Sequence, residues 1–385
     1  MIGHVFINGV EKYVKCAYIG VNGKAQYITK PSELYKYGGS VEGLSVNRVS
    51  LAATTVGNYA LFGGGSYSII KNSNPLFGSS NIIITSENSA TVDAYDSSLT
   101  RTTATDLSLA RFSLAATTVG NYALFGGGYT DSTKSILNPS TVDAYDSSLT
   151  RTTATNLSVG RHKFSATTVG NYALFGGGFW EDSSGSYYVA TVDAYNSSLT
   201  KTTATNLSAG REYITSTTVG NYALFGGGFY PSGNRGIYSD TVDAYDSSLT
   251  KTTVTNLSKG RQELAATTVG SYALFGGGYG MGDKYSSIVD AYNSSLIRTT
   301  ATNLSEGRNR LGAAVVGNYA LFAGGYVEDG KSATVDVYNS SLIRTTTTNL
   351  SEYLGDLKTT TIGKYALFVR TKHIDAYECN NCYSS

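Results

Sequence analysis

At 385 residues, with 29 Lys and Arg against 28 Asp and Glu, the chain can bury large cores and carries a formal net charge of +1. No Lys/Arg block breaks that balance, which argues against a nucleic-acid partner, and no apolar run approaches the roughly 18 residues of a membrane span. Three cysteines cannot build a disulfide framework. The start Met-Ile-Gly-His-Val lacks the basic and apolar regions of a secretory signal, so export is expected only in assembled form, by lysis, or after removal of a leader.

Residues 1 to 35 come first in chain order. Asn8-Gly9 and Asn22-Gly23 are preceded by the strand-like runs Val5-Phe6-Ile7 and Tyr18-Ile19. Asn-Gly supplies the positive φ angles of a tight hairpin turn, so this stretch predicts a small β-hairpin module. The segment Ala-Tyr-Ile-Gly-Val-Asn-Gly-Lys-Ala at 17 to 25 resembles short N-terminal stretches of tail-associated proteins from phages and prophages of Gram-positive bacteria. That resemblance implies a virion or cell-surface location, with residues 1 to 35 attaching the chain to a larger assembly.

Residues 36 to 385 are repetitive. Tyr-Ala-Leu-Phe begins at Tyr59, Tyr122, Tyr172, Tyr222, Tyr272, Tyr319 and Tyr365. Behind each copy stands Val-Asp-Ala-Tyr or a variant, with its acid at Asp93, Asp143, Asp193, Asp243, Asp290, Asp336 and Asp375. A period of roughly 40 to 50 residues marks a repeat architecture. In the unit from Arg111 to Leu157, Leu114 to Val119 reads as strand a and Tyr122 to Phe125 as strand b. Thr141 to Tyr145 reads as strand c and Leu149 to Leu157 as strand d. Turns at Gly120-Asn121 and Asp146-Ser147-Ser148 separate a from b and c from d. The segments are short, rich in Thr, Val, Tyr and Phe, and free of helix signals. Four antiparallel strands per unit, taken seven times, predict an all-β, seven-bladed β-propeller.

The Gly doublet after strand b and the Val-x-x-Tyr of strand c resemble the kelch repeat through residues 36 to 385. Kelch units carry a Trp in strand d, whereas this strand holds Thr152, Thr153 and Thr155, and Trp180 lies in a loop. The resemblance implies a protein-interaction scaffold, as many kelch propellers are. Kelch-like propellers also include copper radical oxidases acting on galactose and sialic-acid mutarotases, so a sugar-processing enzyme is a third reading. The oxidase needs His and Tyr ligands and a Tyr cross-linked to Cys; the histidines are His4, His162 and His373, and every Cys lies near a terminus. No carboxylate pair is singled out by motif. The expectation is no catalytic residue, no metal and no cofactor.

The physics of the unit fits. Leu, Phe and Tyr of strand b must pack on neighbouring blades, Tyr145 packs beneath them, and the Gly after Phe125 lets backbones approach. Arg151 or Lys201 gives outer strand d a polar edge. The last unit has strands a to c (Leu354 to Tyr377), and Lys36 to Ser45 ends in Gly-Leu-Ser as strand d ends in Asn-Leu-Ser. Residues 36 to 45 are therefore expected to close the last blade. Cys379 and Cys382 read as half a zinc site, a redox pair or a local brace, and Cys16 as a small buried apolar residue. The sequons at Asn196 and Asn206 recur at fixed turn positions, which turn chemistry explains.

Function is sought where near-copies differ. The a–b and c–d turns are constant, while the b–c and d–a loops vary, and strand alternation puts each kind on its own face. One face is scaffold and the other a recognition surface. The b–c loops hold Trp180, Tyr187, Tyr188, Tyr230, Arg235, Tyr238 and Tyr285 as candidate ligand residues, with Asp131, Glu181, Asp182, Asp283 and Glu328 among them. Rigid amphipathic rings suit recognition, and rings beside planar polar groups suit sugars. Tyr129, Phe179, Phe229, Tyr279 and Tyr326 are expected to plug the blade junctions. The d–a loops add Arg111, Arg161, Arg211 and Arg261, with Arg48 and Arg308 in series and Leu354 breaking it. These are candidates for bidentate anion binding, the alternative being a tie to backbone carbonyls. His162, Lys163, Glu212, Gln262, Glu263 and Arg310 beside them vary and can tune a ligand. The reading is a non-enzymatic recognition propeller for a glycan or a surface protein.

Overall fold

The computed structural model describes the strands at 4–7, 10–13, 17–21 and 24–28 and the stretches 34–72, 82–132, 135–233, 235–282 and 284–379. Seven four-stranded antiparallel sheets form a seven-bladed β-propeller. Each inner strand touches that of the next blade, and Lys358–Ile362 of blade 7 touches Ala52–Val56 of blade 1, so the circle closes. Ahead of it, His4–Ile7 pairs with Val10–Tyr13 and Ala17–Val21 with Lys24–Ile28. The turn residues Asn8, Gly9, Asn22 and Gly23, together with Cys16, Cys382 and Asp283, lie outside the described residues.

Blade 2 represents the unit: a is Ala115–Val119, b is Tyr122–Gly126, c is Val142–Tyr145 and d is Arg151–Ala154. Strand d is therefore shorter than the expected Leu149 to Leu157. Leu149 sits in the left-handed region at φ 61°, because Asp146 Oδ1 accepts the N–H groups of Ser148 and Thr150 at 2.9 and 3.1 Å and winds the chain into a side-chain-capped turn. Asn196 Oδ1 does the same for Ser198 and Thr200, both at 3.0 Å. Beyond Ala154 the chain leaves the sheet, which lets Leu157 sink between two blades.

Strand b alternates its contacts. Ala123 and Phe125 pack on blade 1, while Leu124 packs on blade 3. Full burial of each such Phe contributes about 1.5–3 kcal/mol. Gly126 makes room for the ring of the next blade: a Cβ there would stand 3.0 Å from Phe175. The close backbone approach lies one step later, at Gly127 and Gly128 with φ 60° and 116°, where the Gly128 N–H donates to the Arg161 carbonyl at 2.8 Å. The strand c tyrosine fastens adjacent blades: buried Tyr195 donates its hydroxyl to the Thr155 carbonyl of the preceding blade at 2.7 Å. Burial pushes its pKa far up, so it stays a donor.

Leu34–Lys36 is the fourth strand of blade 7, paired with His373–Cys379. It begins ahead of the expected closing segment, and of residues 36 to 45 only Lys36 lies in it. The others repeat contacts that follow strand d in other blades. Tyr95 donates to the Glu42 carbonyl at 2.9 Å, Leu44 is buried, and the Ser45 N–H reaches Asp93 at 3.2 Å. Lys36 Nζ lies 2.7 Å from Asp375. Cys379 is buried and disulfide-bonded, so its thiolate is not free for a metal.

Candidate functional site

Four of the residues expected to meet a ligand cannot do so. Arg111, Arg161, Arg211 and Arg261, with Arg48 and Arg308, are among the largest fully buried side chains. Each pairs with the strand c aspartate of its own blade: Arg111–Asp143 and Arg161–Asp193 at 2.9 Å, Arg211–Asp243 and Arg261–Asp290 at 2.5 Å. Arg161 also donates to the Phe175 carbonyl at 3.0 Å. The aspartate is a hub, because Asp193 also accepts the Ser158 N–H at 3.2 Å, and Asp143 takes Arg151 at 3.1 Å. Desolvation lowers the Arg161 pKa and the Asp193 charge opposes it. A carboxylate sealed from water must be paired, which is why the arginines turn inward. In blade 7 Leu354 holds the Arg position, and Asp375 is served by Lys36 and by the Ser351 hydroxyl at 2.6 Å.

Both variable loop sets lie on one face. Isolated bridges join them blade by blade: Phe112 to Tyr129, His162 to Phe179, Glu212 to Phe229, Gln262 to Tyr279 and Asn309 to Tyr326. Several b–c loops are hairpins, including Phe179–Asp182 with Gly185–Tyr188 and Phe229–Ser232 with Arg235–Tyr238. Trp180 and Tyr187 oppose each other and stack at 4.3 Å and 14°. Tyr188 and Tyr238 are edge-on to Phe179 and Phe229, and Tyr285 to Tyr279, so the first two brace hairpin bases and Tyr285 packs within its own loop. Tyr230 is half-buried and Arg235 exposed. All seven stand on the rim over blades 3 to 5.

His162 is sealed between the rings of Tyr129 and Phe179, with Nδ1 2.9 Å from Asn138 Oδ1. Burial, helped by the Lys163 charge, lowers its pKa to about 4. The unfolded ring titrates near 6.5, so its stabilising share is complete above that pH and is lost as pH falls towards the folded value. At roughly 1.4 kcal/mol per unit the loss is about 3 kcal/mol. Urea unfolding at pH 7 and pH 4 is expected to show His162→Phe losing less stability than the parent by about that amount; equal losses would refute the assignment.

The mouth of the central channel opens on the variable face. Ser50, Ser113, Lys163, Tyr213, Glu263, Arg310 and Asp356, one per blade, surround a cavity of about 350 Å³. All seven occupy the left-handed region with φ between 49° and 56°, a conformation costing a non-glycine residue about 1 kcal/mol or more. A circumferential belt imposes it: each N–H from Ser113 onward donates to the carbonyl of the ring residue one blade back, from 2.8 Å at Ser113 to 3.4 Å at Glu263. Beneath the ring lies an apolar collar that includes Leu114, Phe164 and Leu264, and below that a channel of about 280 Å³ walled by inner strands. The ring is electrically organised. Lys163 meets Glu212 at 3.1 Å and lies over the Tyr213 ring at 4.9 Å. Arg310 joins Glu263 at 2.6 Å and Asp356 at 3.6 Å, and Tyr326 donates to Asp356 at 2.9 Å. Lys163, Glu263 and Arg310 were legible as variable neighbours of the arginines. Ser50, Ser113, Tyr213 and Asp356 were missed, although each stands at the second of the two changing positions between that Arg, or Leu354, and the collar residue.

The fold defines a seven-bladed β-propeller. It is similar to the solved structure of YjhT, with a TM-score of 0.56 and 13% identity, covering 80% of this chain and 100% of that one. At that identity the likeness establishes the fold. No family model matches the chain, and no curated protein matches its sequence.

Proposed function

We propose that the chain is a non-enzymatic recognition propeller that binds carbohydrate on its variable face, with the mouth ring as the central subsite. The carrying observation is one backbone geometry repeated at Ser50, Ser113, Lys163, Tyr213, Glu263, Arg310 and Asp356 with nearly every side chain different. Hydroxyl, ammonium, phenol, carboxylate and guanidinium groups around one cavity suit a polyhydroxylated ligand, whose hydroxyls both donate and accept. The collar offers apolar surface to its CH faces, and the Trp180–Tyr187 stack and Tyr230 extend the surface along the rim. The Gly doublet and Val-Asp-x-Tyr pattern support kelch-type units. The likeness of residues 17 to 25 to phage tail-associated proteins supports display on a phage or prophage particle or bacterial surface, attached through residues 1 to 35.

The Trp180–Tyr187 stack, Trp180 half-buried and Tyr187 40% accessible, also favours a second reading as a protein-interaction scaffold. A glycan array of the purified chain separates the two. Binding to a defined subset, weakened about tenfold or more by Tyr213→Ala as expected at a central recognition residue, and unaffected by Ser147→Ala on the opposite face, upholds the carbohydrate reading. Silence across the array rejects it.

A further inference from the structure

Lys358 opens the inner strand of blade 7 and lines both the mouth and the channel. The same level in the other blades holds Ala52, Ala115, Ser165, Thr215, Ala265 and Gly312, so one long cation stands in a wall of small residues. Its inner-strand neighbours, beginning at Gly312 and Ala52, bring no counter-charge at that level. The other charges of the mouth are mutually satisfied: Lys163 with Glu212, and Arg310 with Glu263 and Asp356. Asp356, next but one in sequence, is held by Arg310 and the Tyr326 hydroxyl. Among the described residues Lys358 therefore has no ion-pair or hydrogen-bond partner.

We propose that the channel mouth takes a ligand bearing an anionic group, a carboxylate or a phosphate ester, whose counter-ion is Lys358. Lys358 is half-buried, and an ammonium partly drawn from water with no carboxylate paired to it is one that an incoming anion can neutralise. Desolvation lowers the Lys358 pKa, Asp356 opposing and Arg310 reinforcing; a bound anion reverses that. The serine hydroxyls of Ser50 and Ser113 and the Tyr213 phenol line the same cavity and can donate to the remaining oxygens. That the rest of the ligand is a saccharide rests on the reading above; the anionic group does not.

The test is isothermal titration of the full chain at low ionic strength, where such contacts are least screened, with inorganic phosphate, glucose 6-phosphate, glucuronate and glucose. Lys358→Thr copies the residue blade 4 carries at this level, so folding should survive; Lys358→Arg keeps the charge. The expected result is that phosphate or a charged sugar binds the parent, at least about tenfold more weakly to Lys358→Thr, and that Lys358→Arg restores binding. The two sugar probes report which anion is preferred. Equal affinity for glucose and the charged probes, indifference to Lys358→Thr, or no binding of any anion overturns the proposal. A glycan array positive for neutral sugars alone leaves carbohydrate recognition standing without it. Lys358-dependent phosphate binding with a silent array does the reverse.

Discussion

Removing residues 1–45 lowers the melting temperature by about 10 °C or more, or yields a chain that aggregates on expression. The deletion strips blade 7 of its fourth strand, Leu34–Lys36. It also removes the Glu42 carbonyl from Tyr95, the Ser45 N–H from Asp93, the buried Leu44 and the Lys36 charge from Asp375. Each lost hydrogen bond costs about 1 kcal/mol, and Asp375 is left buried with less cationic compensation. In a body of this size a kcal/mol moves the midpoint by a degree or two or slightly more, so five or six such losses accumulate. The bare edge of His373–Cys379 then presents unpaired backbone groups to other molecules. A shorter deletion ending at Ile28 removes none of these contacts and serves as control. Calorimetry on the three chains decides the matter: equal melting of the 1–45 deletion and the parent would mean that the ring is not closed by its N-terminal segment.

Much of this was readable from the sequence, because propeller order is local and repeated. Tyr-Ala-Leu-Phe and Val-Asp-Ala-Tyr located strands b and c in every unit, and the Gly-Leu-Ser ending at Ser45 pointed to an N-terminal closure through its likeness to Asn-Leu-Ser, although the paired strand itself, Leu34–Lys36, begins ahead of the segment expected. What failed was whatever depended on a partner far along the chain. Arg161 and Asp193 are 32 residues apart, and the sequence shows only that both recur; that a buried carboxylate draws the guanidinium inward appears once the blade is folded. Leu354 was the available hint. The one unit lacking the Arg keeps its Asp and adds Lys36 and His373 near it, Nε2 standing 3.3 Å from Asp375, as a structural partnership requires and a ligand site does not. The mouth ring was hidden for another reason. Lys, Tyr, Glu and Arg do not advertise a left-handed backbone; the belt from Ser50 to Asp356 forces it on them, and that belt forms only once successive blades are packed side by side.

Arg161→Leu, which copies the residue blade 7 carries, costs about 3–5 kcal/mol, the usual penalty for stranding one half of a buried ion pair. Asp193 would keep the Ser158 N–H at 3.2 Å and Lys201, 3.7 Å away at the rim. The Ser158 N–H also reaches the inner oxygen, Oδ2, at 3.2 Å, but it carries no full charge, so without Arg161, which stands 2.9 Å from Oδ2, a nearly dry carboxylate oxygen loses its cation. Adding Asp193→Asn removes the stranded charge, and the double variant is expected to recover a substantial part of the loss, giving a favourable coupling above 1 kcal/mol in a double-mutant cycle. Urea titrations of the four proteins supply the numbers. An Arg161→Leu cost below 1 kcal/mol, or a double variant no more stable than Arg161→Leu alone, would mean the pair is not what holds this part of the blade. Because the same arrangement recurs in blades 1 to 6, a large cost at one hub also explains why the arginines are unavailable to a ligand. A side chain whose removal unfolds its blade cannot swing out to meet one, so the recognition we propose falls to residues such as Tyr213 and Lys358, which the hubs do not use.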